Sequence, residues 1–229
     1  MRAAIIRFPG TNRENDVIAA LKRASGQEPL LVWHKESELP DLDLIVLPGG
    51  FAFGDYLRPG AMAALSPVMK EVKRQAARGV AVVGICNGFQ VLTEAGLLPG
   101  ALLRNADLRF VCRDVHLRAE TDNSIFTSSY GRGQLLRVPI AHQDGNYFAD
   151  QGTIDRLEGE ERVAFRYVAG PGEAAERANP NGSLNDIAGI LSENRRILGM
   201  MPHPEDATDP IQGSTEGCGL FDGIVKSLA

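Results

Sequence analysis

Val80-Ala-Val-Val-Gly-Ile-Cys-Asn-Gly-Phe-Gln90 is the stretch on which the fold turns. It opens as an apolar run rich in β-branched side chains, the pattern of a buried strand. Gly84, Cys86 and Gly88 follow at alternate positions. A helical pattern then runs from Phe89 to Ala95 until Gly96 stops it. Strand, sharp turn and helix, with a nucleophile between two glycines, is a nucleophile elbow with Cys in place of Ser. Side chains beside the nucleophile would crowd the turn, so small residues flank it. The sulfur is expected to project above the sheet at a helix N-terminus, where the helix dipole favours thiolate. The competing reading is a Cys that is only a small buried hydrophobe. The glycine offsets and the helix start behind them weigh against it.

A base stands near the other end of the chain. Ile197-Leu-Gly-Met-Met-Pro-His-Pro-Glu205 reads as a second short strand with His203 and Glu205 just past it. In open α/β sheets functional groups collect beyond the carboxyl ends of strands. A His there can take and return a proton, and a carboxylate two residues on can orient its ring. Pro202 and Pro204 stiffen the mount. By itself, a solvated His in a turn would be the blander reading. Among the other histidines, His142 could line a site from the loop Ala141-His-Gln-Asp-Gly145, but it ranks below His203. A third segment, Leu42-Asp-Leu-Ile-Val-Leu-Pro48, reads as a strand ending in Gly49-Gly50-Phe51. Two glycines at a strand end let backbone N–H groups approach a ligand. Such donors can hold the oxyanion of a tetrahedral intermediate, and the N–H of Asn87 is the natural second donor. A lone Gly-Gly pair is usually only a turn, but this glycine-rich run continues to Gly60.

These segments together resemble the class I (triad) glutamine amidotransferases. The resemblance rests on Pro48-Gly-Gly-Phe-Ala-Phe-Gly-Asp-Tyr-Leu-Arg58, Gly84-Ile-Cys-Asn-Gly-Phe-Gln90, Ala141-His-Gln-Asp-Gly-Asn-Tyr147, Asn179-Pro-Asn-Gly-Ser183 and Gly199-Met-Met-Pro-His-Pro-Glu205, and covers essentially the whole chain. It implies a three-layer α/β/α flavodoxin-like fold with a mixed, mostly parallel central sheet. It implies Cys86 as nucleophile, His203 as general base and acid, and Glu205 as the orienting carboxylate. Backbone N–H groups at Gly50, Phe51 and Asn87 would form the oxyanion hole, and Gln90 would contact glutamine. The Gly-Asp-Tyr-Leu-Arg and Asn-Pro-Asn-Gly-Ser runs narrow the match to a branch that serves purine biosynthesis. That branch implies that ammonia passes to a synthetase subunit using ATP and Mg, with a small accessory subunit in the same complex. No metal or cofactor is implied on this chain. Several positions depart from the family pattern: Arg13 and Pro59, each where Cys is familiar, the run His142-Gln-Asp-Gly145, and Asp206 after Glu205.

Composition agrees. The chain has 229 residues, 44% of them hydrophobic, with a net charge of −5. Disorder is therefore not expected, and nucleic acid is not expected as the main partner. Arg104, Arg109, Arg113 and Arg118, interleaved with Asp107 and Asp114, read as a mixed surface or partner face. Three widely spaced cysteines suggest a reducing compartment, hence the cytoplasm, with Cys112 at a half-buried strand position and Cys218 structural. No apolar run reaches the roughly 20 residues of a membrane span, and the N-terminus reads as a core strand.

Strand and helix patterns alternate first: strand Arg2 to Phe8, a helix to Ser25 with a Thr11/Glu14 capping box, then strands Pro29 to His34 and Leu42 to Leu47. Ser66 as N-cap, Pro67 and Gly79 bracket another helix. Shorter strands follow at Leu108 to Leu117, Gln134 to Ile140, Arg162 to Val168, Ile187 to Leu191 and Ile197 to Met201, then a helix from Leu220 to Leu228. This order predicts a mixed sheet with helices on both faces, in one domain over residues 1–229. Two loops stand out, Asp55 to Pro59 and Gly170 to Ser183.

Other chemistries fit less well. His203-Pro-Glu205 resembles the H-x-E of zinc deaminases, but their Pro-Cys-x-x-Cys is missing, as is a Walker A loop. A stand-alone cysteine hydrolase of γ-glutamyl or peptide bonds would use the same triad and is the alternative. A non-catalytic protein with a vestigial site is weaker, since all three triad residue types are present.

Overall fold

The computed structural model describes residues 1–172, 174 and 178–229. Its strands are β1 (Ala3–Arg7), β2 (Leu30–Trp33), β3 (Leu44–Leu47), β4 (Ala81–Ile85), β5 (Ala101–Leu103), β6 (Val111–Ala119), β7 (Leu135–His142), β8 (Asn146–Phe148), β9 (Val163–Val168), β10 (Ile187–Leu191) and β11 (Ile197–Met200). Its helices are α1 (Glu14–Ser25), α2 (Ala61–Ala64), α3 (Pro67–Ala77), α4 (Asn87–Glu94), α5 (Gln151–Gly159) and α6 (Cys218–Leu228).

Nine strands form one sheet in the order β2-β1-β3-β4-β11-β10-β9-β6-β7. The run from β2 to β11 is parallel. From β11 onward every pairing is antiparallel. The mixed sheet expected from the sequence is therefore present, its parallel part built from the first four strands of the chain and the last. Residues of β3, β4 and β11 are buried throughout, as parallel strands covered on both faces must be. Right-handed crossovers carry β1 leftward to β2 and β3 rightward to β4, so α1 and α3 lie on opposite faces. The first of these packs beside α6, while α4 covers β3, β4 and β11. In α1 the apolar stripe Val17, Ala20 and Leu21 turns inward, and Gly26 ends the helix in the left-handed conformation. Strands β5 and β8 make a separate two-stranded sheet. Among the described residues no helix is long and apolar enough to cross a membrane.

Some local expectations give way to tertiary contacts. Thr11 does not cap α1: its Oγ1 accepts from the Phe8 N–H at 2.9 Å, and its backbone bridges to Gly50. The helix starts at Glu14 behind Arg13. Ser66 precedes Pro67 as expected, but its hydroxyl pairs with His34 Nδ1 at 3.2 Å instead of capping. The strand placed at Leu108 starts at Val111, because Leu108 is in a turn closed by its N–H on the Asn105 carbonyl at 2.8 Å. Cys112 is exposed on β6 rather than half-buried. The short strands β5 and β8 and the helix α5, capped by Asp150 on the Thr153 N–H, are not evident from periodicity. Of the loop expected from Gly170 to Ser183, positions 173 and 175–177 lie outside the described residues.

Candidate active site

The carboxyl ends of β3, β4 and β11 lie side by side, because these strands pair in parallel register. Each delivers one of the three segments. Cys86 follows β4 with φ 51° and ψ −108°, a conformation that L residues rarely adopt. Such strain costs on the order of 1–3 kcal/mol and persists only where the surroundings enforce it. They do so here by contact. A Cβ on Gly88 would meet the Leu47 carbonyl oxygen at 1.9 Å, so only glycine lets α4 start this close to β3. The Cys86 N–H donates to the Met200 carbonyl at 2.8 Å, which ties the elbow to β11.

His203 is buried, with its Nδ1 2.7 Å from Glu205 Oε1. Glu205 is fully buried as well. The His203 N–H donates to the Pro139 carbonyl at 2.9 Å, so β7 also holds the mount. Burial opposes a charged imidazole, but the Glu205 carboxylate and the neighbouring Cys86 outweigh it and raise the His203 pKa well above its ordinary value. Cys86 is close enough to His203 for the sulfur to act on the imidazole. The contact is loose: Nε2 makes no well-formed hydrogen bond, while Sγ is 3.8 Å from the Ala141 carbonyl oxygen. Both residues line one cavity. The structure thus brings together the three residues that the sequence singles out.

The glycine loop packs against the same sulfur. Asn87 joins it to the elbow: its Oδ1 accepts from the Ala52 N–H at 3.1 Å, and its Nδ2 donates to Asp55 Oδ1 and Gln90 Oε1 at 3.2 and 2.8 Å. The Asn87 N–H lies in the first turn of α4, where helical donors lack intrahelical acceptors. Gly50 lines both cavities beside Cys86. Phe51 departs from expectation. Its N–H donates to the Gly10 carbonyl at 2.9 Å, so this donor is occupied by the bridge between the loop after β1 and the loop after β3. Gln90 lines the cleft, yet its Nε2 already donates to the Asp144 carbonyl at 2.7 Å, which leaves it one free amide hydrogen.

Two acidic side chains in the cleft are not among the residues that the sequence analysis assigned to the site. Asp55 and Asp144 line it together with Arg104, which lies 3.6 Å from Asp144. Burial, and next the Asp144 charge, push the Asp55 carboxyl up to about 6 against the Asn87 hydrogen bond. Burial also raises Asp144, with Arg104 opposing. Asp55 stands in a loop the sequence marks as irregular, but its proximity to Asp144 arises only on folding.

His142 is a structural member of the wall. Its Nδ1 meets Asn105 Oδ1 at 3.2 Å and its Nε2 meets Asn181 Nδ2 at 3.5 Å. Burial, and then the charge on His203, lower its pKa to about 4, so it is neutral. Asn105 also accepts from the Gly145 N–H at 3.0 Å, and Asn181 donates to the Gly145 carbonyl at 2.9 Å. These amides hold the loop 141–145 against Cys86 and Gln90. A larger cavity of about 590 Å³, beside Lys73, Arg162 and Glu193, includes none of Cys86, His203 and Glu205 in its lining.

Residues 1–218 match the family model described as the CobB/CobQ-like glutamine amidotransferase domain. A Rhodospirillum rubrum protein named phosphoribosylformylglycinamidine synthase subunit PurQ is 60% identical over 230 residues, covering 100% of both chains. A Chelativorans protein of the same name is 56% identical over 229 residues, again covering 100% of both. The solved structure titled "Structure of PurLQS from Thermotoga maritima" contains a chain 39% identical with TM-score 0.87, covering 100% of this chain and 99% of that one. A glutamine amidotransferase from Thermotoga maritima, 16% identical with TM-score 0.64 and covering 100% of this chain and 97% of that one, shares the fold.

Proposed function

Because the chain belongs to the CobB/CobQ-like glutamine amidotransferase family, we propose that it is the glutaminase subunit of phosphoribosylformylglycinamidine synthase, in purine biosynthesis. The observation that carries the chemistry is the buried His203–Glu205 pair at 2.7 Å, with Nε2 left without a protein partner beside Cys86. The Cys86 sulfur attacks the side-chain carboxamide carbon of glutamine and forms an S–C bond. N–H groups of Gly50 and Asn87 meet the oxyanion, each worth about 3 kcal/mol when well aimed. His203 gives its proton to the amide nitrogen, the C–N bond breaks, and ammonia leaves a glutamyl thioester. The neutral imidazole then takes a proton from water, the oxygen attacks the thioester, and the S–C bond breaks to give glutamate. Glu205 keeps Nδ1 protonated and Nε2 on the reacting side.

The whole chain, residues 1–229, works as one glutaminase domain, since strands from both halves share one sheet. Ammonia passes to a synthetase subunit, with a small accessory subunit in the assembly. That partner uses ATP and Mg to convert formylglycinamide ribonucleotide to the amidine. The relatives' names and the PurLQS title support this partnership. A cytoplasmic location suits three unpaired thiols.

Cys86→Ala tests the reading. In the assembled complex, glutamate release should vanish while amidine formation from added ammonium salt persists. Glutamate release at the parent rate would remove Cys86 from the chemistry.

A further inference from the structure

Two cavities meet at Cys86. The larger, about 410 Å³, is lined by Asp55, Gln90, Arg104, His142 and Asp144 among others. The smaller, about 210 Å³, is lined by Asn12, Arg13, Phe110, Cys112, Ala141 and His203 among others. Gly50, Phe51, Cys86 and Ala141 belong to both, so the sulfur stands between two openings of different chemistry. His203 lines the smaller cavity and not the larger.

The two openings suit different molecules. Glutamine brings an α-ammonium and an α-carboxylate, and stripping either of water without a partner is costly. The larger cleft holds carboxyls and a guanidinium that can meet those groups. The smaller exposes mostly apolar surface, and its guanidinium, that of Arg13, is already paired with Asp16 and Asp206. Neutral ammonia crosses such a lining at little desolvation cost, and a charged amino acid does not. The proton donor is on the same side. His203 Nε2 is buried without a hydrogen-bond partner, so the nitrogen it protonates departs next to the smaller cavity. At the mouth, Phe110 is 49% exposed and Cys112 lies on β6 opposite Ala141 of β7.

We propose that the smaller cavity, opening at Phe110 and Cys112, is the exit by which ammonia leaves toward the synthetase, while glutamine is admitted through the Asp55–Asp144 cleft. The proposal rests on the glutaminase reading above. It assigns Cys112 a place on the product route and no part in the bond changes.

The test narrows each opening in the complete complex, isolated by gel filtration and supplied with glutamine, ATP, Mg and formylglycinamide ribonucleotide. Glutamate and amidine are measured separately in a series Cys112→Ala, Cys112→Leu, Cys112→Trp. Amidine formed per glutamate should fall as the side chain grows, on the order of tenfold for Trp, because a filled passage cannot repack freely. Glutamate release should stay within roughly twofold, since Cys112 is an exposed strand position. Amidine formation from ammonium salt should not change. Leu103→Trp at the rim of the larger cleft should do the reverse, raising the glutamine KM and leaving the product ratio intact. The Leu and Ala variants keep the series readable if the Trp variant fails to fold or assemble. A product ratio constant along the series overturns the proposal, as does a raised glutamine KM in the Cys112 variants with the ratio unchanged. If the parent complex makes no amidine from glutamine, the proposed function itself fails, a different result from losing the exit alone.

Discussion

Arg13 and Asp206, separated by 193 positions in the chain, pair at 3.3 Å beside the His203–Glu205 couple. Each stands where the sequence departs from the family pattern, and the fold brings the two departures into contact. Arg13 also reaches Asp16 at 3.4 Å. Burial, and next the Glu205 charge, push the Asp206 carboxyl up to about 6, with His203 and Arg13 opposing. Arg13→Ala removes one opposing charge and leaves Asp206 facing Glu205. It should lower stability at pH 8 by on the order of 1 kcal/mol or less, given the partial exposure of the pair. Adding Asp206→Asn should recover most of that loss. Thermal melts of the four proteins in the cycle check this, and strictly additive effects would mean that the pair is not coupled.

Asp55 links stability to pH. An Asp raised to about 6 in the folded chain holds its proton more tightly there than when unfolded. Its contribution is complete below about 4 and is withdrawn as pH rises through about 6. Asp55→Asn should therefore be the more stable protein at pH 8 and lose that advantage by pH 4. Denaturant titrations at the two pH values decide it, and a pH-independent difference would contradict the shift.

Glu205→Gln replaces the carboxylate that orients and charges His203. We expect kcat for glutamine to fall on the order of tenfold to a thousandfold with KM changed by no more than about threefold. The alkylation rate of Cys86 by iodoacetamide at pH 7 should fall too, because the imidazolium beside the sulfur loses its partner. A variant with parent kinetics and parent alkylation would leave Glu205 without a role.

Asn105→Ala unties the loop that walls the cleft. Asn105 is fully buried and serves the Arg109 and His142 carbonyls, the Gly145 N–H and the His142 ring. Leaving those groups unsatisfied costs about 1–3 kcal/mol each before relaxation or water offsets it. The melting temperature should drop clearly, and the glutamine KM should rise because Asp144 and the Ala141 carbonyl lose their support. An unchanged KM in a destabilised protein would confine Asn105 to the scaffold.

The parts most legible in the sequence are those with a local physical cause. β3, β4 and β11 announce themselves because strands buried on both faces must be apolar along their length. The elbow is legible because strand, small residues and helix pattern follow one another directly around Cys86, although the contact that demands Gly88 is with Leu47 of β3. Parts depending on distant partners are not. Thr11 and Ser66 carry helix-cap chemistry but spend their hydroxyls on Phe8 and His34. The N–H of Phe51 reads as free for a ligand, yet Gly10 takes it. Neither α5, with glycines at 152 and 159, nor the three-residue strands β5 and β8 carry enough periodicity to register.

From the order of its residues alone, this protein declared a thiol at a strand–helix turn, a His and Glu past a later strand, and the alternation that builds an α/β sheet. Those features follow from sterics, polarity and periodicity over a few neighbouring residues. Folding alone decided that Arg13 meets Asp206, that Asp55 and Asp144 face each other, that Asn105 and Asn181 brace one loop, and that the sulfur stands where two cavities of different lining meet. Each of these joins segments tens to hundreds of residues apart, and only the register of the sheet sets their distance.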